Sequence, residues 1–539
     1  MHRILLLSSV LSLILSSCGA SPSIWGVAPT PTVNPSTPAV PLIDPFAVQD
    51  DLIIFSTSTP PATTEAALAN TPTPDGAAPI IAPTYTPSID AAPFLYYAQP
   101  GDMLSAIAKR FGVEESEVTS DADLTKTTLI DPGTLLVIPN KISEPTTPNI
   151  QIMPDAEIVF SVTAADFDIE DFVKDQGGYL ARFRDYLGST GWIEGYDAVE
   201  RLALENSINP RMILGLLEHE SRWVSGQPID LLHTDFPMGF NDYHYKGMSV
   251  QMVWAINNMS IAYYGWRAGT INYLDFPDGT RLRIDPRLNA GTVAIQYLFS
   301  RLYNQSKWAQ VIDPQNGFPA MYAEMFGDPW ALADEINPRF PPALTQPPLT
   351  LPFEPDTQWN LTGGPHNGWG QINPNIYGQS HSVFAAIDFA PPTKTGGCGA
   401  TDTWVVAAAP GLVVRSENGA VMVDLDGDGY EQTGWNLLYM HIAKKDRVTA
   451  GTWLELNDRI GHASCEGGVS TGTHLHFARK YNGEWVTADG PIPFVMDGWR
   501  VVAGDAPYKG KLIREEKEVI ADQQGQSWSS IIREENEQK

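Results

Sequence analysis

The segment Gly472-Thr473-His474-Leu475-His476-Phe477-Ala478 decides the fold of the last third of the chain. Histidine alternates with apolar residues along it, which is the period of a β-strand with one buried face. A strand places both imidazoles on one face, about 6–7 Å apart, and the leucine and phenylalanine on the other. We therefore expect both histidines to face a single site.

The sequence around this segment is rich in histidine. Six of the ten histidines lie between Leu351 and Tyr508, among short predicted strands and glycine-rich turns. Trp435 to Ile442 predicts a second strand that carries a histidine at its end. Neutral imidazoles together with one carboxylate are what a catalytic zinc site with three protein ligands uses. The candidate residues are His366, Asp388, His441, His474 and His476.

Four motifs in this order resemble the β-lytic and lysostaphin-type zinc endopeptidases: Gly-Gly-Pro-His, Ile-Asp-Phe, Tyr-x-His-Ile and Gly-Thr-His-Leu-His-Phe. The resemblance implies a mainly antiparallel β domain over residues 351–508 that hydrolyses peptide bonds of peptidoglycan. It also implies that Zn²⁺ is bound by His366, Asp388 and His476, and that His441 and His474 carry out acid–base and transition-state work. Spacing alone does not divide these roles, because either histidine of the His-x-His pair can reach a metal.

The identity of the first metal ligand has an alternative. His366 is separated from Asp388 by more residues than in the His-x-x-x-Asp form common in that family, and His381 lies nearer. His381 is therefore a rival first ligand. The Gly-Gly-Pro-His context favours His366.

Residues 94–140 predict a small α/β module. Leu104, Ile107 and Phe111 follow helical spacing, and Gly112 is a natural helix end. With a strand on either side and a second helix, this is a β-α-α-β unit. The pattern from Pro100-Gly101-Asp102 to Ile138-Pro139 resembles the LysM family, which implies binding of N-acetylglucosamine-containing glycans, here peptidoglycan.

The central region, residues 156–337, is predicted to be mainly α-helical, with helices near 196–206, 210–223 and 289–303. On the second helix Glu220 falls on the apolar stripe and Glu218 on the opposite face. The stretch Ile208–Ser221 weakly resembles the start of a lysozyme-like transglycosylase domain, which implies Glu220 as a general acid for glycan cleavage. The alternative is a scaffold or substrate-positioning domain in which a buried glutamate pairs with an arginine.

The N-terminal segment predicts export. Residues 1–18 have a short basic start, an apolar run too short for the ~20 residues of a membrane span, and Leu15-Ser16-Ser17-Cys18. This ending resembles a bacterial lipobox, which implies that Cys18 is lipidated and anchors the protein to a membrane. Residues 19–93, rich in proline and threonine, predict a disordered tether. We expect an extracytoplasmic protein of the cell envelope.

The net charge, the cysteines and an acidic loop lead to three further expectations. The net charge of −29 argues against nucleic acid as a ligand. Cys398 and Cys465 are expected to form a disulfide in an exported protein, and the alternative is two unpaired buried thiols. Asp424, Asp426 and Asp428 resemble the start of a calcium loop, but Trp435 occupies the position of the closing glutamate, so a hairpin turn is favoured.

The sequence thus predicts a multidomain protein: a LysM module, a helical domain and a C-terminal β metallopeptidase domain. A charged tail, residues 509–539, follows; it alternates weakly, either adds strands or remains mobile, and has no assigned function. The predicted function is that of a zinc-dependent peptidoglycan endopeptidase held at the envelope by a lipid and a glycan-binding module. The alternative is a non-catalytic wall-binding lipoprotein that scaffolds or activates another hydrolase.

Overall fold

The computed structural model describes residues 92–124, 129–187, 191–334, 340–341, 343–369 and 383–535. They all belong to one unit that spans residues 81–539. The signal segment with Cys18, nearly all of the predicted tether, and His381 lie outside the described residues. Within the described ranges, no helix has the length and apolar character needed to cross a bilayer.

The N-terminal module pairs two antiparallel strands, β1 (Phe94–Tyr97) and β2 (Leu135–Ile138), against helix α1 (Leu104–Phe111). Ile107 and Phe111 are fully buried on the strands, as the helical spacing predicts. A 3₁₀ turn at Glu115–Glu117 follows α1. The strand–helix–strand part of the prediction is confirmed, whereas residues 125–128 in the predicted second helical region lie outside the described residues.

The central region is mainly helical, as predicted. Its helices are α2 (Ile169–Gln176), α3 (Gly195–Asn206), α4 (Pro210–Ser221), α5 (Leu231–Asp235), α6 (Met248–Arg267), α7 (Ala290–Leu302), α8 (Gln305–Val311), α9 (Phe318–Phe326) and α10 (Pro329–Asp334). Two short hairpins interrupt them: β3 (Arg184–Leu187) with β4 (Gly191–Glu194), and β5 (Tyr273–Asp275) with β6 (Arg281–Arg283). Helices α3, α4 and α7 confirm the three predicted helices.

Helix α4 shows why this region folds as predicted. The side chain of Asn209 accepts a hydrogen bond from the backbone N–H of Arg211, and Pro210 occupies the first turn, so the helix start is capped. Residues 210–217 are all buried, which makes α4 a core helix. The helix ends at Arg222, whose φ of 58° is left-handed.

The LysM-like module packs against α6 and the segment before α7. The guanidinium of Arg110 forms a buried ion pair with Asp102 at 2.5 Å and lies 5.1 Å from the ring centroid of Trp266. Arg283 donates a hydrogen bond to the carbonyl of Arg110 at 2.9 Å. Buried charges with specific partners indicate a defined contact between the two regions.

The C-terminal region is built on antiparallel strands, as predicted. They are β7 (Gln358–Asn367), β8 (Phe384–Ala390), β9 (Val405–Val406), β10 (Gly411–Glu417), β11 (Ala420–Asp424), β12 (Trp435–Met440), β13 (Trp453–Leu454), β14 (Arg459–Gly461), β15 (Leu475–Tyr481), β16 (Glu484–Trp485), β17 (Val495–Met496), β18 (Trp499–Ala503), β19 (Gly510–Arg514), β20 (Lys517–Ile520) and β21 (Ser530–Ile532). The main sheet has the order β13-β10-β11-β12-β15-β8-β7-β21, and β16 pairs with β15.

The two faces of the main sheet have different neighbours, because side chains alternate along each strand. Leu475 and Phe477 belong to a core cluster on one face, which includes residues of the small sheet β17-β18-β19-β20. Ala478 and Trp485 belong to a second cluster, against which Tyr264 of α6 packs. The sheet therefore separates its own core from the face that meets the helices.

The segment after Tyr508 is part of this fold. Strand β19 pairs with β18, and β21 pairs with β7 at the edge of the main sheet. The tail to which the sequence analysis assigns no function therefore completes two sheets. The alternation of charged and apolar residues in it is that of half-exposed strands.

Candidate metal centre and its cleft

Three polar side chains on adjacent strands converge at one end of the main sheet. His366 lies on β7, Asp388 on β8 and His476 on β15. The Nε2 atom of His366 is 3.0 Å from Nδ1 of His476, and Oδ1 of Asp388 is 3.2 and 3.3 Å from these two nitrogens. All three residues are buried.

Hydrogen bonds assign the protons on the two imidazoles. Nδ1–H of His366 donates to the carbonyl of Gly364 at 2.8 Å, and Nε2–H of His476 donates to the carbonyl of Gly368 at 2.9 Å. The other nitrogen of each ring therefore presents a lone pair to the centre. Oδ1 of Asp388, buried beside both, has no hydrogen-bond partner among the described residues.

This arrangement fits a bound cation. Burial opposes ionisation of Asp388, but the neighbouring imidazoles of His366 and His474 outweigh it and hold the pKa of this carboxyl well below its usual range. Burial lowers the pKa of His476 and keeps it neutral. Two lone pairs and a carboxylate oxygen that face one another repel unless a positive ion lies among them. Two imidazole nitrogens and one carboxylate oxygen are a donor set that zinc accepts.

The glycines of Gly363-Gly364-Pro365-His366 allow close approaches. A Cβ on Gly363 would lie 2.5 Å from Oδ2 of Asp388, and one on Gly364 would lie 2.5 Å from the carbonyl oxygen of Lys509. Any side chain at Gly363 would displace the carboxyl group. The motif thus brings β7 against both Asp388 and the C-terminal segment.

His441 and His474 form a second pair beside this centre. Their ring centroids are 4.4 Å apart, and Nε2 of His474 lies 3.8 Å from Oδ1 of Asp388. Nδ1–H of His441 donates to the carbonyl of Glu466 at 3.0 Å, and Nδ1–H of His474 donates to Gly472 at 2.7 Å. In the neutral rings, Nε2 is therefore the acceptor at the cleft.

Two features make His441 unusual. Burial, with the nearby His474 and His476, lowers the pKa of His441 to about 3, so its ring is neutral across the physiological range. Its φ of 66° is left-handed, a conformation that few residues other than glycine adopt. Strained backbone of this kind concentrates at functional sites.

A disulfide joins the loops that present these histidines. Cys398 and Cys465 are bonded, which confirms the predicted pairing. On one side of the bridge, the carbonyl of Gly397 accepts the N–H of Thr473 at 3.0 Å. On the other side, the N–H of Ser464 donates to the carbonyl of His441 at 2.6 Å. The disulfide therefore links the loop that bonds to Thr473, the residue before His474, with the loop that bonds to the carbonyl of His441.

The histidines and Asp388 open into a cleft of about 690 Å³. Part of its wall was not predicted from the sequence: Tyr508, Gln523 and Gln524 come from the C-terminal segment. The ring of Tyr508 stacks on His366 with centroids 4.2 Å apart, and burial beside Asp388 raises its pKa to about 12. No spacing rule links Tyr508 to His366, because the contact depends on the path of the small sheet.

The two glutamates of α4 have different environments. Glu218 accepts hydrogen bonds from the backbone N–H groups of Val224 and Ser225, both at 2.9 Å, and so closes the helix end. The Glu220 carboxylate accepts a hydrogen bond from Tyr303 at 2.5 Å and lies 2.9 Å from Nδ1 of His219. A buried glutamate–arginine pair does exist in this region, but it joins Glu157 to Arg211.

The acidic loop forms the predicted hairpin turn between β11 and β12. Asp424 accepts hydrogen bonds from the N–H groups of Asp426 at 3.1 Å and Gly429 at 2.9 Å. These carboxylate–backbone bonds stabilise the turn. Calcium binding by this loop, the alternative to a plain hairpin turn, stays untested.

Three family models match the chain. "LysM domain" matches residues 96–139, "LasA, N-terminal domain" matches 151–339, and "Peptidase family M23" matches 386–488. The last match includes Asp388, His441, His474 and His476, whereas His366 precedes it. The model that matches the helical region is that of LasA, and the lysozyme-like resemblance of α4 stays a prediction.

The chain is also similar to curated proteins and to a solved structure. Protease LasA of Pseudomonas aeruginosa is 27% identical over 301 residues, which cover 53% of this chain and 65% of LasA, just under two thirds of its length. The β-lytic metalloendopeptidase of Lysobacter enzymogenes is 27% identical over 167 residues, 30% of this chain and 82% of that protein. The solved M23 metalloprotease pseudoalterin is 22% identical and aligns with a TM-score of 0.27, covering 35% of this chain and all of its own.

The chain thus carries, in order, a LysM domain, a LasA N-terminal domain and a domain of peptidase family M23, and it is homologous to LasA and to the β-lytic metalloendopeptidases.

Proposed function

We propose that this protein is a zinc-dependent endopeptidase that hydrolyses peptide bonds of peptidoglycan. The observation that carries the proposal is the convergence of two imidazole lone pairs on the unpartnered Oδ1 of Asp388, at the base of an open cleft. The names of the relatives, a protease and a β-lytic metalloendopeptidase, support the same class of reaction.

His366, Asp388 and His476 would hold the metal. When bound, Zn²⁺ supplies Lewis acidity that polarises the scissile carbonyl and activates water. The stacked ring of Tyr508 and the hydrogen bond to Gly364 hold the His366 ring in the orientation that binding requires. A ligand that is held in advance binds with less loss of conformational entropy.

His441 and His474 would move the protons. In the neutral form of each ring Nε2 is the acceptor, because each Nδ1–H is donated to a backbone carbonyl. A neutral imidazole at the cleft can take a proton from the attacking water and return it to the departing amine nitrogen. An imidazole that has taken the proton can also stabilise negative charge on the carbonyl oxygen.

The cleft suits a peptide segment. Its described lining residues include the polar, uncharged side chains of Thr362, Asn367 and Gln524, and none of the lining residues is a lysine or an arginine. Such side chains donate to and accept from peptide N–H and C=O groups without requiring a charged partner. This supports a peptide stem or cross-bridge as the substrate.

Two further elements would hold the enzyme at its substrate. A groove of about 380 Å³ on the LysM domain, lined by residues such as Ser120, Asp121 and Leu135, offers polar and apolar contacts to a glycan strand. The lipobox-like end at Cys18 supports a lipid anchor. Sedimentation of the protein with insoluble wall tests the first, and mass spectrometry of the mature N-terminus tests the second.

Digestion of purified peptidoglycan tests the reaction. Metal-free and zinc-loaded protein are compared, and the new amino and carboxyl termini in the soluble products are identified. We expect new peptide termini only with the zinc-loaded form. A protein that contains no zinc, binds wall and releases no fragments would instead be the non-catalytic scaffold.

A further inference from the structure

The backbone carbonyl of Gly368, a glycine that packs against Trp485, holds the Nε2 atom of His476. The Nε2–H of His476 donates to the carbonyl of Gly368 at 2.9 Å, which turns Nδ1 toward His366 and Asp388. Gly368 is buried, and a Cβ on it would lie 2.6 Å from Cδ2 and 2.8 Å from Cε3 of Trp485. The backbone at Gly368 thus rests directly on the indole ring. The position of Trp485 therefore determines where this carbonyl lies.

Trp485 is in turn held by the helical domain. Its backbone N–H donates to the hydroxyl of Tyr264 at 3.1 Å, and its indole N–H donates to the carbonyl of Asn206 at 3.3 Å. Tyr264 lies on α6, and Asn206 is the last residue of α3. Both N–H groups of this buried tryptophan are thus satisfied by helices outside the β domain.

The residues before Trp485 are attached to the same helices. The carbonyl of Gly483 accepts the hydroxyl of Ser207 at 2.7 Å. The carboxylate of Glu484 accepts the hydroxyl of Tyr263 at 2.8 Å and a guanidinium N–H of Arg267 at 3.2 Å. Separating the helices from β16 would leave buried polar groups without these partners, so the register of the contact is specific.

We propose that the helical domain sets the geometry of the metal centre through Trp485 and Gly368, which makes Trp485 a positioning residue for His476. The inference rests on the proposed zinc site. It joins two regions that match different family models, residues 151–339 and 386–488. Tyr264, Trp485 and Gly368 are not among the described residues that line the cleft, so the expected effect is on metal affinity rather than on contacts with substrate.

Zinc affinity of the full chain tests the step from Gly368 to His476. Metal-free protein is titrated with Zn²⁺ in competition with a chromogenic chelator. Gly368→Ala should weaken zinc binding by about 10–100-fold, the usual effect of losing a group that orients a metal-bound histidine. Adding Trp485→Phe to Gly368→Ala should restore part of the affinity, because the smaller ring leaves room for the added methyl group.

Tyr264→Phe tests the step from the helical domain. The variant keeps the ring and loses only the hydroxyl that holds Trp485, so zinc affinity should fall by about 2–10-fold, the worth of one net hydrogen bond. Tyr263→Phe is the matched control: it removes the neighbouring hydroxyl, which bonds to Glu484 instead, and should leave zinc affinity unchanged. A ¹⁵N spectrum of His476 in metal-free protein should show a smaller Nε2–H population in Gly368→Ala.

The outcomes separate this inference from the proposed function. If wild-type protein binds zinc, and if Gly368→Ala and Tyr264→Phe bind it equally well with an unchanged His476 tautomer, the inference is wrong and the proposed function stands. Equal weakening in Tyr263→Phe and Tyr264→Phe would also overturn the route through Trp485. Wild-type protein that binds no zinc would overturn both proposals.

Discussion

The Nε2 atom of His366 lies 3.0 Å from the Nδ1 atom of His476, and when both rings are neutral neither nitrogen carries a hydrogen, because each ring donates its single N–H to a backbone carbonyl. Two lone pairs at this distance repel. The sheet holds them there because β7 and β15 both flank β8, the strand of Asp388. A cation placed among the three side chains removes the repulsion.

Removing a donor should remove the metal. In His366→Ala, Asp388→Ala or His476→Ala, two protein ligands remain, too few for a tight catalytic site, so zinc content and activity should fall together. Metal analysis of the purified variants beside a peptidoglycan digestion assay measures both. His462→Ala, at a histidine of the same domain that bonds to the carbonyl of Thr403, is the control and should keep its zinc. Full zinc and full activity in His366→Ala would transfer the first-ligand role to His381.

The second histidine pair should affect activity without affecting metal content. His441→Ala and His474→Ala leave the three donors intact, so most zinc should remain. Activity should fall by about 10²–10⁴-fold, the usual contribution of general acid–base catalysis. Initial rates of peptidoglycan release, normalised to bound zinc, measure the effect. Unchanged rates in His441→Ala would refute the assigned role.

Breaking the disulfide should lower the activity and the stability of the protein but not its zinc content. Cys398 and Cys465 are separated by 67 residues, and bridges of that span typically contribute about 2–4 kcal/mol to the free energy of unfolding. In the double Ser variant we expect a lower melting temperature and lower activity, because the loops that support His441 and Thr473 are released. Zinc should remain, since its three donors lie on strands. Loss of zinc in parallel with activity would contradict this division.

Metal-free protein should lose stability as the pH falls below about 6.5, the ordinary histidine pKa. The folded-state pKa of His441 is about 3, so between these values the unfolded chain binds a proton that the folded protein does not. The free energy of unfolding should therefore fall by about 1.4 kcal/mol per pH unit from this group. Asparagine tolerates the left-handed backbone at this position. In His441→Asn, the free energy of unfolding, measured by denaturant titration at several pH values, should therefore depend on pH less steeply, by about one proton.

If the helical domain cleaves glycan strands, that activity should depend on Glu220 and not on Glu218. Glu220→Gln changes a carboxylate that bonds to a tyrosine hydroxyl, whereas Glu218→Gln changes one that accepts backbone N–H groups at a helix end. Identification of the sugar termini in digests of wild type and both variants measures this. Equal loss in both variants would indicate a structural role, and intact glycan in wild-type digests would end the hypothesis.

The elements that follow a local period were predicted well. The alternation in residues 472–478 predicted an extended segment, and β15 begins at Leu475. The apolar stripe of α4 and the asparagine and proline at its start predicted a buried helix, which the structure shows. These features depend on which side of a few consecutive residues is buried, and that information is contained in the residues themselves.

The path of the C-terminal segment could not be predicted in the same way. A boundary at Tyr508 follows from composition, because charged residues become frequent after it. In the structure, this segment continues through β19 and β21, and its residues Gln523 and Gln524 line the cleft. Edge strands are half exposed, and charged sequences of this kind resemble a tail until their partner strands are known.

The sequence by itself determined the residue types of the candidate centre and predicted the helices of the central region and the pairing of Cys398 with Cys465, because these follow from chemistry and local periodicity. Only the tertiary structure decided that Tyr508 stacks on His366, and that Trp485 links the helical domain to Gly368 and His476. Such contacts join residues far apart in the chain. They depend on the order of strands in the sheet and on how helices dock on its face, and neither is encoded in the spacing of neighbouring residues.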